Sequence, residues 1–239
     1  MKTNTYQKLA SYYDNIYDTD FYRQYALFIK KVAKKNKIIE LAILDCACGT
    51  GKLIAELVRN GISKNNISGF DASKEMVKIA RKNNPAVKFY ICDFKNFSKN
   101  KNSNRNYNII TCTFDAVNYI LKKEDLKKFF KNVNGKLENG GVFIFDFNTI
   151  YKKTRKEVIK SGGIKYSNKI ENGFWHLNIE IKEDGKTYKE NHKEHLYGFR
   201  EIKKLLISVG FKKSEVYKNF DYKIKKIEGE ERLIITASK

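Results

Sequence analysis

Residues 41–51 join a short apolar run to a turn made of small residues. Residues 41–44 are all apolar, and they are followed by Asp45 and then by Cys-Ala-Cys-Gly-Thr-Gly at residues 46–51. An apolar run of this kind is typical of a strand buried in a parallel sheet. From Leu53 onward, apolar side chains recur at helical spacing until Gly61, which predicts a helix that ends there. A strand, a tight turn and a helix in this order favour an α/β fold.

The same alternation of strand and helix continues along the chain. Further strands are predicted at residues 67–71, 87–92, 108–113 and 142–147, with amphipathic helices between most of them. Strands that alternate with helices predict a mainly parallel sheet, which binds ligands at the carboxyl ends of its strands.

Residues 150–197 interrupt this alternation. Two turn signals, Asn172-Gly173 and Asp184-Gly185, separate three extended segments, which predicts a small antiparallel insert. One more helix and two strands follow. We therefore expect one domain made of residues 1–149 and 198–239, with residues 150–197 inserted into it.

Three kinds of nucleotide site place a glycine turn after the first strand. A P-loop requires Gly-x-x-x-x-Gly-Lys-Ser/Thr, but Cys46 stands at the first glycine position and Leu53 follows Lys52. The dinucleotide fingerprint requires Gly or Ala three residues after its second glycine, where this chain has the bulky Ile54. Neither of these two motifs fits well.

The string from Asp45 to Gly51 resembles the first motif of the class I S-adenosylmethionine-dependent methyltransferases. In many members an acidic residue precedes three spaced glycines, and here Ala47 stands in place of the first. The resemblance implies that Asp45 holds the ammonium group of the cofactor S-adenosylmethionine. Gly49 and Gly51 let the backbone approach a ligand closely. The resemblance also implies a Rossmann-like, doubly wound, seven-stranded sheet whose last strand is antiparallel.

Further acids stand at the predicted strand ends. Asp71 ends the second strand, 20 residues after Gly51, where a carboxylate can accept both ribose hydroxyls. Residues 69–76 resemble the second motif of the family, and Asp93 matches its third acidic position, which contacts the adenine amino group. The full set of cofactor-binding residues that we predict is Tyr13, Tyr17, Asp45, Ala47, Gly49, Gly51, Asp71, Ala72, Met76, Cys92, Asp93, Phe94 and Thr113.

Some of these residues have a structural alternative. Met76 lies either over the adenine or in the core, and Asp93 either contacts the adenine or caps its own loop. Tyr13 and Tyr17 resemble an opening motif whose tyrosines cover the cofactor, and the alternative for both is ordinary helix packing.

Residues 107–119, 142–151 and 190–197 look like motifs of a bacterial small-molecule methyltransferase branch. The resemblance implies an amine, hydroxyl or short-peptide acceptor, with the insert acting as a lid or substrate platform. The candidate catalytic residues are Asp115, Asn118, His192 and His195, and a structural role is at least as well supported for each. His192 and His195 are three residues apart in a predicted strand, so at most one of them faces the cleft.

The net charge of +21 leaves a second acceptor class open. Of the 48 basic residues 41 are lysine, which is typical of a biased composition, and arginine, the better reader of phosphate and guanine, is scarce. An RNA methyltransferase is therefore the alternative, followed by a non-enzymatic cofactor-binding protein. The proline-containing motifs of two DNA methyltransferase types are excluded, because the chain's one proline, Pro85, precedes Ala86.

The rest of the composition bears on order, membrane spans, cellular compartment and metal binding. Regular hydrophobic runs rule out a wholly disordered chain, and no run approaches the length of a membrane span. The four cysteines form neither a disulfide framework nor a zinc pattern, so we predict a cytoplasmic protein without a metal site.

Overall fold

The computed structural model describes residues 5–16, 19–97, 105–155, 158–160, 164–220 and 222–239. Six helices and twelve strands lie within these ranges. The helices are α1 (Ala10–Ile16), α2 (Thr19–Lys35), α3 (Lys52–Arg59), α4 (Lys74–Asn83), α5 (Lys123–Lys136) and α6 (Phe199–Ser208). The strands are β1 (Ile43–Cys46), β2 (Ile67–Asp71), β3 (Lys88–Ile91), β4 (Tyr107–Cys112), β5 (Leu137–Asn148), β6 (Val158–Lys160), β7 (Ile164–Glu171), β8 (Phe174–Glu183), β9 (Lys186–His195), β10 (Lys213–Lys218), β11 (Tyr222–Lys223) and β12 (Arg232–Ser238).

The main sheet has the order β3-β2-β1-β4-β5-β12-β10, and β11 extends the β10 edge by two residues. Strands β1 to β5 pair in parallel, whereas β12 pairs antiparallel with both β5 and β10. The predicted seven-stranded sheet with an antiparallel last strand is confirmed, with β11 as an addition. The strand order reverses between β1 and β4, and a sheet of this kind binds ligands at that reversal.

Helices cover both faces of this sheet because its strands are apolar on both sides. On one face α5 and α6 bury Phe129, Phe130 and Leu206 against β5. On the other face α2, α3 and α4 bury a second set that includes Tyr25 and Leu57. The two layers make the doubly wound arrangement that the sequence predicts.

The insert forms a separate antiparallel sheet in the order β6-β7-β8-β9. Both predicted hairpin turns are present, with a positive φ at each of their two residues: 51° and 78° at Asn172 and Gly173, and 48° and 71° at Asp184 and Gly185. This is the type I′ geometry that Asn-Gly and Asp-Gly favour. The three predicted extended segments become four strands, because the three-residue β6 also joins the sheet.

The N-terminal segment packs on the insert. Leu9, which directly precedes α1, is buried with Ile164, Ile179 and Ile181 of β7 and β8. Within the described part of the chain, no helix is both long enough and apolar enough to cross a bilayer.

Candidate active site

The carboxyl ends of the parallel strands bring four predicted residues to one edge of the sheet. Asp45 lies in β1 and Asp71 ends β2, while Asp93 and Thr113 follow β3 and β4 within two residues. Strand pairing places Asp45 opposite Gly69 and Thr111. Acids that span 48 residues of sequence, from Asp45 to Asp93, therefore lie along one edge of the sheet.

The turn after β1 depends on backbone conformations that favour glycine. Ala47, Gly49 and Gly51 have φ angles of 56°, 53° and 79°, in the left-handed region that costs an L-residue about 1–2 kcal/mol. A Cβ on Gly51 would lie 2.7 Å from the Asn84 side-chain nitrogen, whereas a Cβ on Gly49 would meet no protein atom within 4 Å. Gly51 is thus required by protein packing, and Gly49 borders open space that a ligand can enter.

Asp71 is tied to the glycine turn. Its Oδ2 accepts a hydrogen bond from the Gly49 backbone at 3.0 Å, and its Oδ1 accepts one from the Ser73 backbone at 2.8 Å. Burial raises the pKa of this carboxyl, although these backbone donors oppose the rise. A carboxylate has about four lone-pair sites, so two remain for a pair of hydroxyl groups.

Asp45 lies beneath the turn and is 1% exposed. Burial raises its pKa to about 7, against a hydrogen bond of 2.7 Å that the Thr111 hydroxyl donates to Oδ1. A cationic group that approached Asp45 would stabilise its ionised form.

The residues that we predict around the adenine differ in their exposure and in their contacts. Asp93 is exposed, and its Oδ1 accepts hydrogen bonds from the backbones of Lys95 and Asn96, which is the loop-capping alternative. Met76 is 2% exposed, and Phe94 packs edge-on against Phe129. The adenine contacts of Met76, Asp93 and Phe94 remain predictions, as do those of Ala72, which is exposed, and Cys92, whose backbone N–H bonds to the Asp71 carbonyl.

Helix α1 is hydrogen-bonded to the glycine turn and to the first residue of α3. The Thr50 hydroxyl donates to Asp14 Oδ1 at 2.6 Å, and Lys52 Nζ donates to the Asp14 carbonyl at 2.6 Å. Tyr13 contacts Tyr6 edge to face, with 5.8 Å between the ring centroids. The N-terminal segment therefore lies beside the turn, and the cofactor contact of Tyr13 stays a prediction. Tyr17 lies outside the described residues.

A chain of polar side chains surrounds His192. Its Nδ1 lies 2.9 Å from the Tyr119 hydroxyl, which lies 2.8 Å from the Tyr6 hydroxyl. Its Nε2 lies 3.3 Å from Glu190 Oε2. His192 is 2% exposed, whereas Tyr119 and Tyr6 are half-buried. Any proton that reached His192 from the cleft could therefore pass through the Tyr119 hydroxyl.

A second polar group lies where β5 meets the insert. The Asn148 amide nitrogen donates to Asp115 Oδ2 at 2.6 Å and to Glu194 Oε2 at 2.9 Å. Burial and the charge of Asp115 raise the pKa of Glu194 well above its usual value. Lys152 donates to Asn148 Oδ1 at 3.2 Å and stands 4.6 Å from the centroid of the Trp175 ring, and burial lowers its pKa.

Hydrogen bonds to Asp146 stabilise the backbone conformation of Asp115. Phe114 and Asp115 both have positive φ angles, 59° and 50°, and their backbone N–H groups donate to the Asp146 carboxylate at 2.7 and 2.9 Å. Tyr25 and Arg232 also donate to Asp146, which is fully buried. Several bonds to one carboxylate stabilise a turn that is strained in isolation.

Asn118 and His195, the other two catalytic candidates, contact mainly backbone groups and a neighbouring ring. The Asn118 amide bonds to the backbones of Asn148 and His195, so it joins β5 to β9. The His195 ring stacks on Tyr197, 4.2 Å between centroids, and its Nδ1 lies 2.9 Å from the Leu121 carbonyl. These contacts support a structural role for both residues, and their catalytic role remains a prediction.

Sequence reasoning missed several residues at this site. In β9, Glu190, His192 and Glu194 are buried on one face, whereas His195 lies on the other. The alternation of these polar residues along β9 was the signal in the sequence that could have indicated the two acids. Tyr6 and Arg232 have no local signal, because their partners come from distant parts of the chain.

Comparison with known proteins gives the family. A model of the methyltransferase domain matches residues 43–141, which hold the glycine turn and Asp71. An uncharacterized protein of Methanocaldococcus jannaschii is 30% identical over 209 residues, 86% of this chain and 74% of that protein. The crystal structure of an S-adenosylmethionine-dependent methyltransferase from Clostridium acetobutylicum is 27% identical, with a TM-score of 0.79 over 98% of this chain and 99% of that one.

The chain belongs to the class I S-adenosylmethionine-dependent methyltransferases. Relatives from Geobacillus and Bacillus subtilis are each 27% identical and match 62% of this chain, but only 59% and 57% of their own lengths. The chain therefore spans little more than half of these two relatives.

The site fits the cofactor of this methyltransferase family. The open space at Gly49 would admit the cofactor against the backbone, and the two unused lone-pair sites of Asp71 suit a ribose diol. Asp45 supplies a carboxylate for an ammonium group.

Proposed function

We propose that this methyltransferase transfers a methyl group from S-adenosylmethionine to the amine of a small molecule. The observation that carries the proposal is the pair of acids beside the cleft: Glu194 and Asp115 share the Asn148 amide nitrogen at 2.9 and 2.6 Å. Two acids held this close repel each other and are stabilised by a cation. Lys152 and Arg232 already lie near this pair, and an amine that arrives protonated adds a further cation, whereas a neutral hydroxyl does not.

Several relatives act on amines. Those from Streptomyces fradiae and Saccharopolyspora spinosa, 25% and 30% identical over 122 and 105 residues, are named as N,N-dimethyltransferases of dTDP-linked amino sugars. The sugar N-methyltransferase KedS8 has the same fold, with a TM-score of 0.73 at 15% identity. These names favour an amine as the acceptor group. They also favour a small molecule over RNA as the substrate.

The chemistry demands orientation more than activation. When bound, S-adenosylmethionine supplies a methyl group on a sulfonium sulfur, which is already a good leaving group. The glycine turn and Asp71 hold one reactant, and Glu194 and Asp115 hold the other, so that the reaction gains from proximity. An amine attacks only when its lone pair is free, and the Tyr119–His192 pair can accept the proton that it loses.

The N-terminal segment excludes water from this arrangement. Tyr6 lies over His192, with 4.7 Å between the ring centroids, and Asp14 is bonded to Thr50 and Lys52 of the glycine turn. A drier site strengthens the interaction between an ammonium group and the carboxylates. In this proposal the insert and the N-terminal segment together form the cover of the cleft.

The test compares amino sugars with the same sugars carrying a hydroxyl at the reacting position, and includes RNA as a further substrate. We expect formation of S-adenosylhomocysteine and a methylated product with the amines. Glu194→Gln removes a charged contact worth about 1.5–3 kcal/mol, so kcat/KM for the amines should fall about 10- to 100-fold. Cofactor affinity, measured by calorimetry, should not change. Turnover on hydroxyl sugars or on RNA alone would overturn the proposal.

A further inference from the structure

The carboxylate of Glu190, in β9 of the insert, joins two parts of the molecule. Its Oε1 accepts hydrogen bonds from the backbones of Lys8 and Leu9 at 2.7 and 2.9 Å. Its Oε2 accepts one from the Tyr6 backbone at 2.6 Å and lies 3.3 Å from His192 Nε2. Glu190 is 5% exposed. Burial would raise its pKa, but His192 and the three backbone donors outweigh burial, so its pKa lies below the usual value.

The contact with Glu190 determines which nitrogen of His192 carries a proton. An ionised carboxylate can only accept hydrogen bonds, so Nε2 must be the protonated nitrogen. In a neutral imidazole the other nitrogen is then an acceptor. Nδ1, 2.9 Å from the Tyr119 hydroxyl, is therefore ready to receive a proton.

We propose that Glu190 is a positioning residue that holds His192 as the Nε2–H tautomer and, with the same carboxylate, docks the N-terminal segment over it. The role rests on the proposed methyl transfer to an amine. In that reaction the acceptor nitrogen gives its proton to the Tyr119 oxygen while the Tyr119 proton passes to His192 Nδ1. The resulting imidazolium faces the Glu190 carboxylate, so charge balances and no other reactant is needed.

Docking of the N-terminal segment and orientation of His192 are coupled because they use one oxygen atom. Tyr6, whose backbone N–H shares Oε2 with His192, has a φ of 59°. The Ser73 hydroxyl, two residues beyond Asp71, donates to the Tyr6 carbonyl at 3.2 Å. The Tyr6 hydroxyl lies 2.8 Å from that of Tyr119. The segment thus connects the cofactor side of the cleft with the Tyr119–His192 pair.

The direct test is the tautomer of His192 by two-bond ¹H–¹⁵N spectra of the ring. The chain has only three histidines, His176, His192 and His195, so each can be assigned by substitution. We expect the Nε2–H form in the unaltered protein. Glu190→Gln can keep its amide oxygen toward Lys8 and Leu9, which turns its NH₂ group toward Nε2 and toward the Tyr6 backbone N–H, so that the hydrogen bond from Tyr6 is lost. His192 should then change to the Nδ1–H form.

The matched control is Glu183→Gln. Glu183, in β8, also anchors the N-terminal segment, through Lys8 and the Tyr12 hydroxyl, but no described contact joins it to His192. Hydrogen exchange at the backbones of residues 6–9 should accelerate in Glu190→Gln. Glu183→Gln should leave the tautomer as it is, even if exchange at the segment rises.

Kinetics separate positioning from general stability. A base that has lost its accepting nitrogen should lower kcat for the amine about 100-fold or more, with KM for the amine and cofactor affinity little changed. Glu183→Gln should lower kcat less than about threefold, since ion pairs at the protein surface contribute little and both side chains of this pair are about one-third exposed.

The inference is overturned if His192 is Nδ1–H in the unaltered protein, or if Glu190→Gln leaves the tautomer unchanged. It is also overturned if both Gln variants lower kcat equally. Because the spectra and the exchange rates need no substrate, they test Glu190 even if no amine is methylated. Absence of amine methylation would refute the proposed function, and the tautomer result would still stand.

Discussion

Replacement of Asp71 tests the cofactor side of the site. Its carboxylate accepts hydrogen bonds from the backbone N–H groups of Gly49 and Ser73, which leaves two lone-pair sites for the ribose hydroxyls. Asp71→Asn preserves the shape but loses the charge and one of the two bonds to the backbone, because one carboxylate oxygen becomes an NH₂ group. Asp71→Ala loses the charge and both of these bonds, so the two variants form a graded series.

The expected magnitude follows from these contacts. A hydrogen bond to a charged group is worth about 1.5–3 kcal/mol, and each 1.4 kcal/mol is a factor of ten in affinity. Asp71→Asn can keep one hydroxyl bond, so the affinity for S-adenosylmethionine should fall about 10- to 100-fold. Asp71→Ala loses both bonds, and its affinity should fall more than about 100-fold.

Calorimetry with S-adenosylhomocysteine and its 2′-deoxy analogue makes the test specific. The unaltered protein should bind the deoxy analogue more weakly, because one partner of Asp71 is missing. Asp71→Ala should bind both ligands alike. Exposed Glu75 on α4 provides the control, since Glu75→Gln removes a nearby charge without touching the turn. If Asp71→Ala still discriminates between the ligands as the unaltered protein does, the ribose assignment is wrong.

Three further predictions concern the turn, the buried ion pair and pH. Gly49→Ala and Gly51→Ala should each lower the free energy of unfolding by about 1–2 kcal/mol in urea titrations, because both positions have a positive φ. The loss should be larger for Gly51→Ala, whose Cβ would meet Asn84, and Gly49→Ala should in addition weaken cofactor binding in calorimetry. Asp146→Asn weakens the ion pair between the fully buried Asp146 and the partly exposed Arg232, and urea titrations should show a loss of about 3 kcal/mol. Burial raises the pKa of Asp45 from the usual 3.8 to about 7, so the folded state binds this proton more tightly than the unfolded state does. The resulting stabilisation is complete below about pH 4 and is lost as the pH rises through 7. Asp45→Asn should flatten stability over that interval, and an unchanged pH profile would refute the assignment.

Much of the fold follows from local sequence pattern. Apolar runs such as residues 41–44 and 142–147 predict parallel strands because both of their faces must be buried. The Asn172-Gly173 and Asp184-Gly185 turns predict hairpins because both of their residues need positive φ angles. The three-residue β6 and the two-residue β11 were missed, since elements this short carry too few residues for a period to be seen.

The cofactor half of the site was also predictable, because its residues stand at strand ends. Asp45 and Asp71 have fixed places relative to a strand and a glycine turn, and their positions follow once a parallel sheet is assumed. The acceptor half depends on pairs that are distant in sequence. Tyr6 and Glu190 are 184 residues apart, and Arg232 lies 86 residues from Asp146.

The α/β fold, the glycine turn and the acids along the strand ends all follow from the amino-acid sequence. These features depend on local backbone preference and on the periodicity of apolar residues. Tertiary packing sets the surroundings of His192, because a hydrogen bond between distant segments forms only when packing brings the two segments together. It also decided the ionisation of Asp45 and Glu194, since burial and neighbouring charges, rather than residue type, set the pKa of a carboxyl group.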